Sequence, residues 1–130
     1  MVHPLQVPSE EQIRELTADA NLSTEKANQY ADLFIASGKL AIALLFLERS
    51  KDKERLGRIK NQAISSGDAF LLHCVERIVP GLVQTGEWQE AGAQAMSSGK
   101  FLFARDCYEK AGDGEKSSEA RSAWLKIFPR

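Results

Sequence analysis

The stretch Trp88 to Ala111, WQEAGAQAMSSGKFLFARDCYEKA, decides the fold class. Its flanks are rich in helix-forming residues, and Ser97-Ser98-Gly99 interrupts them with a turn signal, so it reads as two short helices folded against each other. Ala91, Gly92 and Ala95 are small enough to let the first helix approach its mate closely. Ala104 permits the same from the second helix, while Phe101 and Tyr108 fill the groove between hairpins. Two fainter versions precede it, ASGKLAIALLFLERS around Gly38 and SSGDAFLLHCVERIV around Gly67. Glycines 38, 67 and 99 are separated by 29 and 32 residues, about one helical hairpin each. Such a period marks a solenoid, in which each unit buries its apolar face only against its neighbours.

The rest of the chain follows the same alternation of helix and short turn. Residues 1–8 hold Pro4 and Pro8 and read as an extended lead-in to a single helical domain over 9–130. Ser9 is placed to cap a first helix, with Gln12 completing a capping box and Glu10 and Glu11 at the positive end of the dipole. Ile13, Leu16 and Ala20 form its apolar stripe, and Asn21 ends it. Ser23 or Thr24 caps a second helix carrying Ala27, Tyr30, Ala31 and Phe34 at helical spacing. Leu40 to Leu47 is apolar almost all round, which suggests a helix buried on most sides; its leucines and alanines favour helix over strand. Asp52 caps a fourth helix with Leu56, Ile59 and Ala63 on a narrow stripe, and a fifth follows Gly67. Pro80-Gly81 must stop or bend that one, leaving Leu82 and Val83 as a last turn or a connector. Helices over 87–96, over 100–111 and beyond Gly112-Asp113-Gly114 bring the number to about eight.

Composition sets the broad class. The chain has 130 residues, enough for a real core without disulfides or metal, and a formal net charge of −1. That near-balance argues against a dedicated nucleic-acid binder, which carries a basic excess. Cys74 and Cys107 lie inside apolar helical runs and read as reduced thiols rather than a disulfide. The N-terminus lacks the basic start and apolar core of a secretory signal, and the longest apolar run, Leu40–Leu47, is far below the ~20 residues of a membrane helix. A cytoplasmic, membrane-free setting is expected.

Trp88, Gly92, Gly99, Phe101, Ala104, Tyr108 and Ala111 fall at the spacings of the tetratricopeptide (TPR) signature, and this part of the chain resembles that family. Tyr30, Ala31, Phe34, Gly38, Leu40, Ala43 and Leu47 match it more loosely. The middle copy matches through Leu56, Ile59, Ala63 and Gly67 but carries Leu72 where a small residue is usual and Glu76 where an aromatic is usual. The spacings also fall short of the family's repeat of about 34 residues. Gly86-Glu87-Trp88 followed by Ala91 could equally open the second helix of a hairpin, which would shift the pairing by one helix. The stretch DKERLGRIKNQAISSGDAFLLHC is similar in style to the irregular α-solenoids of vesicle-coat and ciliary-transport subunits, which admits a piece of a longer solenoid as a further setting.

The TPR resemblance implies an all-α stack of about four antiparallel hairpins with a right-handed superhelical lean. It also implies a concave groove lined by the first helix of each hairpin, with Asn28, Asp32, Ile35, Asn61, Ile64, Gln89 and Met96 exposed in it. Family members that grip a C-terminal carboxylate need several basic residues there; Asn28, Gly57 and Gln89 stand at the corresponding turns, so that activity is not expected. The alternative is that these positions are solvated or covered by a neighbour.

Other candidate sites have bland readings beside them. Lys51, Arg55 and Arg58, within KDKERLGRIK, share one side of a helix and could meet phosphates or an acidic partner, but Asp52 and Glu54 are interleaved and no aromatic platform accompanies them. His73 and Cys74 are adjacent, so a helix points them about 100° apart, which is no nucleophile-base dyad. His3 falls in the lead-in. Asp106 and Glu109 are ordinary surface carboxylates, and no phosphate loop or paired metal-ligand motif is present. No catalytic residue, metal or cofactor is expected. Trp124, Ile127 and Phe128 lie near the end of the last helix, where a cap should be polar. Inward packing is the preferred reading; otherwise they form an edge for a homodimer or for a longer solenoid. The function expected is non-catalytic binding of a peptide or helix of another protein, with nucleic-acid or acidic-partner binding through 51–60 as the alternative.

Overall fold

The computed structural model describes residues 5–129, so the lead-in residues His3 and Pro4 lie outside the described part. Eight helices follow in order: α1 (Glu10–Ala18), α2 (Thr24–Ala36), α3 (Leu40–Ser50), α4 (Lys53–Ser66), α5 (Ala69–Ile78), α6 (Thr85–Ser97), α7 (Phe101–Lys110) and α8 (Gly114–Ile127). No strand is present among the described residues, so the fold is all-α.

Local sequence explains where these helices start. The Ser9 amide donates to Gln12 Oε1 at 2.9 Å and the Gln12 amide to Ser9 Oγ at 3.3 Å, a complete capping box. Ser23, rather than Thr24, caps α2 by accepting from the Lys26 amide at 3.1 Å. Asp52, Asp68 and Asp113 accept in the same way from the amides of Arg55, Leu71 and Lys116. Helix α1 is shorter than expected: it ends at Ala18, and the Asp19 carboxylate takes the Asn21 amide at 2.9 Å. Ala20 therefore falls beyond the helix and is exposed, leaving Ile13 and Leu16 as the stripe.

The turns repeat as the serine-glycine periodicity suggests. Gly38, Gly67 and Gly99 have φ of 76°, 65° and 75°, the left-handed region that costs glycine little. Each is closed by the following amide reaching back five residues: Lys39 to Phe34 O, Asp68 to Ala63 O and Lys100 to Ala95 O, at 2.8, 2.9 and 2.8 Å. Gly112 closes a fourth turn identically, with Asp113 bonded to Tyr108 O at 2.9 Å. The chain thus reverses between successive helices at each of these turns, an arrangement compatible with a helical repeat.

The chain divides into two compact units, residues 1–57 and 58–130, with α4 contributing to both. In the first, α2 and α3 form a hairpin around Ala27, Ala31, Phe34, Ala43 and Leu47, all essentially inaccessible. Phe46 stacks on Tyr30 and Phe34 with ring centroids 5.2 and 5.9 Å apart. Helix α3 is less enclosed than its composition suggests, because Leu45 is 46% exposed. Helix α1 rests on α3, and Ile13 is its one buried residue; burying a single isoleucine contributes roughly 1.5–3 kcal/mol.

In the second unit, α7 lies between α6 and α8 and also touches α5. Gly67 approaches Ala95 so closely that a Cβ would stand 2.5 Å from the Ala95 nitrogen. After α5 the chain is a connector, not a last turn. Glu76 accepts from the amides of Gly81 at 2.7 Å and Val83 at 3.0 Å, which fixes the bend at Pro80 and buries Val83. That tether gives the Glu76 carboxylate a structural role.

Helix α8 corrects one expectation. Ser117 and Ala120 are buried, Trp124 is half-buried, and Ile127 and Phe128 are each 57% exposed rather than packed inward. The cause is length: α8 has 14 residues and α7 has 10, so an antiparallel α8 overruns its support by about 6 Å, one turn. Phe128 instead packs on Trp124, ring centroids 5.3 Å apart.

Candidate functional site

Two of the predicted groove residues meet in the first unit. Asn28 and Asp32 project from α2 toward Asp52 and Arg55 at the start of α4. Arg55 grips Asp32 with two parallel bonds, Nε to Oδ1 at 2.8 Å and Nη2 to Oδ2 at 2.9 Å, and reaches Asp52 Oδ2 with Nη1 at 3.3 Å. The hydrogen bonds that Arg55 donates to Asp32 hold the guanidinium pKa above its ordinary value; burial opposes this, and the charges of Asp32 and Asp52 add to it. The Asn28 amide donates to Asp52 Oδ2 at 3.4 Å, which orients its carbonyl away from the carboxylate. Asn28 Oδ1 is buried and has no hydrogen-bond partner. Ile35, one turn beyond Asp32, is half-buried.

The second unit places the other four differently. Asn61 is exposed on α4 and lines a shallow depression with Gln62, Ser65 and Ser66. Ser65 Oγ donates to Asn61 O at 3.1 Å and Ser66 Oγ to Ala63 O at 3.3 Å, so the hydroxyl protons stay on their own helix. Ile64 corrects an expectation: at 6% exposed it belongs to the core beside Ala63, and it opens onto no groove. Gln89 is exposed on α6. Met96 is half-buried because it packs, with Phe103, on the cluster of Ala95, Ala104, Tyr108 and Ala120.

Two cations of the basic stretch 51–60, Arg55 and Lys60, are engaged within the protein. Beyond the Arg55 pairings, Lys60 Nζ lies 2.9 Å from Glu87 Oε2 and donates to Leu82 O at 3.3 Å. Burial alone would raise the Glu87 pKa. The hydrogen bonds from Lys60 and from the Gln84 amide, with the Lys60 charge, outweigh it and hold the carboxyl below its ordinary value. Lys51, Lys53 and Arg58 are exposed.

The remaining reactive side chains have structural surroundings. His73 lies on Trp88, ring centroids 4.9 Å apart, and Lys110 stands 6.0 Å from the same indole. Cys74 and Cys107 are both free, but only Cys107 is buried. Burial pushes the Cys107 thiol up to about 12, helped by the charges of Asp106 and Asp68, so it stays protonated and inert. Arg105 pairs with Asp106 at 3.0 Å and stands 4.0 Å from Glu109. Among the described residues no three His, Cys, Asp or Glu side chains converge on a metal-sized site.

The ion pairs Arg55–Asp32 and Lys60–Glu87 join residues 23 and 27 positions apart, and no local motif announces them. No helix of the described residues is long and apolar enough to cross a membrane. No protein-family model, curated protein or solved structure matches the chain.

Proposed function

We propose that this chain is a non-catalytic protein-binding module, a short TPR-like helical repeat that presents exposed helix faces to a peptide or helix of a partner protein. The observation that carries this reading is the depression on α4 lined by Asn61, Gln62, Ser65 and Ser66. Its lining side chains are uncharged, with the Lys100 ammonium at its edge donating to Ser66 O at 2.8 Å, and it offers amide donors and acceptors together with hydroxyl lone pairs, the functions that bond to a polypeptide backbone or to polar side chains. The groups with displaced pKa values give further support, because Arg55 and Glu87 are held in ion pairs and Cys107 is buried. The cations engaged at Arg55 and Lys60 weigh against binding nucleic acid through 51–60. The two free thiols favour the cytoplasm as its setting.

Selection of displayed random peptides on the immobilised protein tests this reading. Enriched peptides are expected to bind the wild type and to lose about tenfold in affinity on the double change Asn61→Ala and Gln62→Ala, the loss of one or two hydrogen bonds. The exposed control Ser118→Ala leaves binding unchanged. Absence of enrichment, or peptides indifferent to the α4 substitutions, would overturn it. Exposed Ile127 and Phe128 support a second contact, self-association through the end of α8.

A further inference from the structure

Helix α1 is held to the first unit by unusually little. Of its nine residues only Ile13 is buried, and an isolated helix this short is barely stable in water, so its form depends on its seat. That seat is incomplete on both flanks. Toward α3 a cavity of about 430 Å³ separates Thr17 and Ala18 from Leu45 and Phe46. On its other side a second cleft, of about 590 Å³, is lined by Leu5 and Pro8 of the lead-in, by Leu16 and Asp19, and by Tyr30 of α2. Side chains lining such open clefts face solvent rather than protein and add little that holds the helix down. What secures the C-terminal end is Arg49 of α3. Its Nη1 donates to Leu22 O at 3.2 Å and its Nη2 to Thr17 O at 3.4 Å, clasping the last turn of α1 and the loop after it.

We infer that α1 is a releasable cover on the α2–α3 hairpin, seated by Ile13 and latched by Arg49, which opens as a unit while the hairpin stays folded. The hairpin's own packing far exceeds its contact with α1: Ala27, Ala31, Phe34, Ala43 and Leu47 are buried on α2 and α3, which pack along their length, whereas α1 touches α3 at few points. Opening joins the two clefts and uncovers Tyr30 and Phe46, extending the apolar surface of which Leu45 is already 46% exposed. Elements with few buried apolar contacts are the ones that open below the global unfolding free energy. This device is separate from the α4 face, and either can fail without the other.

Hydrogen exchange on the full chain under native conditions tests it. The amides of Arg14–Ala18 are expected to be protected about a hundredfold less than those of Ala31–Phe34 and Ala43–Leu47. Arg49→Ala should lower the α1 protection about tenfold further and leave the hairpin's nearly unchanged. Equal protection of α1 and the hairpin in the wild type overturns the inference, and so does an Arg49→Ala change that leaves α1 as it was or loosens both together. If Arg49→Ala does not fold, the wild-type profile alone decides.

Discussion

Gly92 of α6 lies directly against the ring of Tyr108 on α7: a Cβ at Gly92 would stand 2.8 Å from Tyr108 Cε1 and 2.9 Å from Cζ. The ring is itself buried, with Lys116 Nζ 5.7 Å above it, so it has little room to retreat. Gly92→Ala is therefore expected to destabilise the protein by about 1–3 kcal/mol through overpacking, against a helix-propensity gain of at most ~1 kcal/mol. Urea denaturation measures this, and a midpoint at or above the wild-type value would show that α6 and α7 can part without cost.

Gly57 is the opposite case. It sits inside α4, and a Cβ added there would find nothing within 4 Å, so an alanine meets no neighbour. Gly57→Ala should stabilise by roughly 0.5–1 kcal/mol, by restricting the unfolded chain and extending good helix propensity. The pair of glycine substitutions, equal in sequence terms, is expected to move the thermal midpoint in opposite directions.

The Lys60–Glu87 pair predicts a pH dependence with a definite sign. The folded-state pKa of Glu87 is below its ordinary value of 4.5. Its contribution is therefore fully present above that value and is lost as pH falls through the folded pKa. Glu87→Gln should cost about 1–2 kcal/mol at neutral pH, and the gap between variant and wild type should narrow as the solution is acidified. A gap that stays constant down to the acid limit would mean the carboxylate charge contributes nothing.

The overrun of α8 predicts concentration-dependent association. Sedimentation velocity is expected to show a larger species as the wild-type concentration rises, and Ile127→Asp with Phe128→Asp should abolish it while leaving the helical signal unchanged. A wild-type chain that stays monomeric at high concentration leaves no self-association for these residues to mediate.

Much of this fold is legible in the residues because it is built from short-range hydrogen bonds. Ser9, Gln12, Ser23 and Asp52 mark helix starts through bonds that span three residues, and Gly38, Gly67 and Gly99 mark turns through bonds that span five. Asn28 and Asp32 are one helical turn apart, and the structure engages the first with Asp52 and the second with Arg55. Their partners are not legible. Whether Arg55 meets a phosphate or Asp32, and whether Lys60 faces solvent or Glu87, depends on which helices lie side by side.

By itself, then, the sequence determined that the chain is a run of about eight helices, several of their N-caps and the positions at which the chain reverses, since each rests on a few neighbouring residues. Tertiary structure alone decided that Ile64 is core, that the cations at 55 and 60 are engaged, that Ile127 and Phe128 outrun their support, and that α1 is thinly seated. These follow from the relative lengths and contacts of helices far apart in the chain, which local periodicity does not encode.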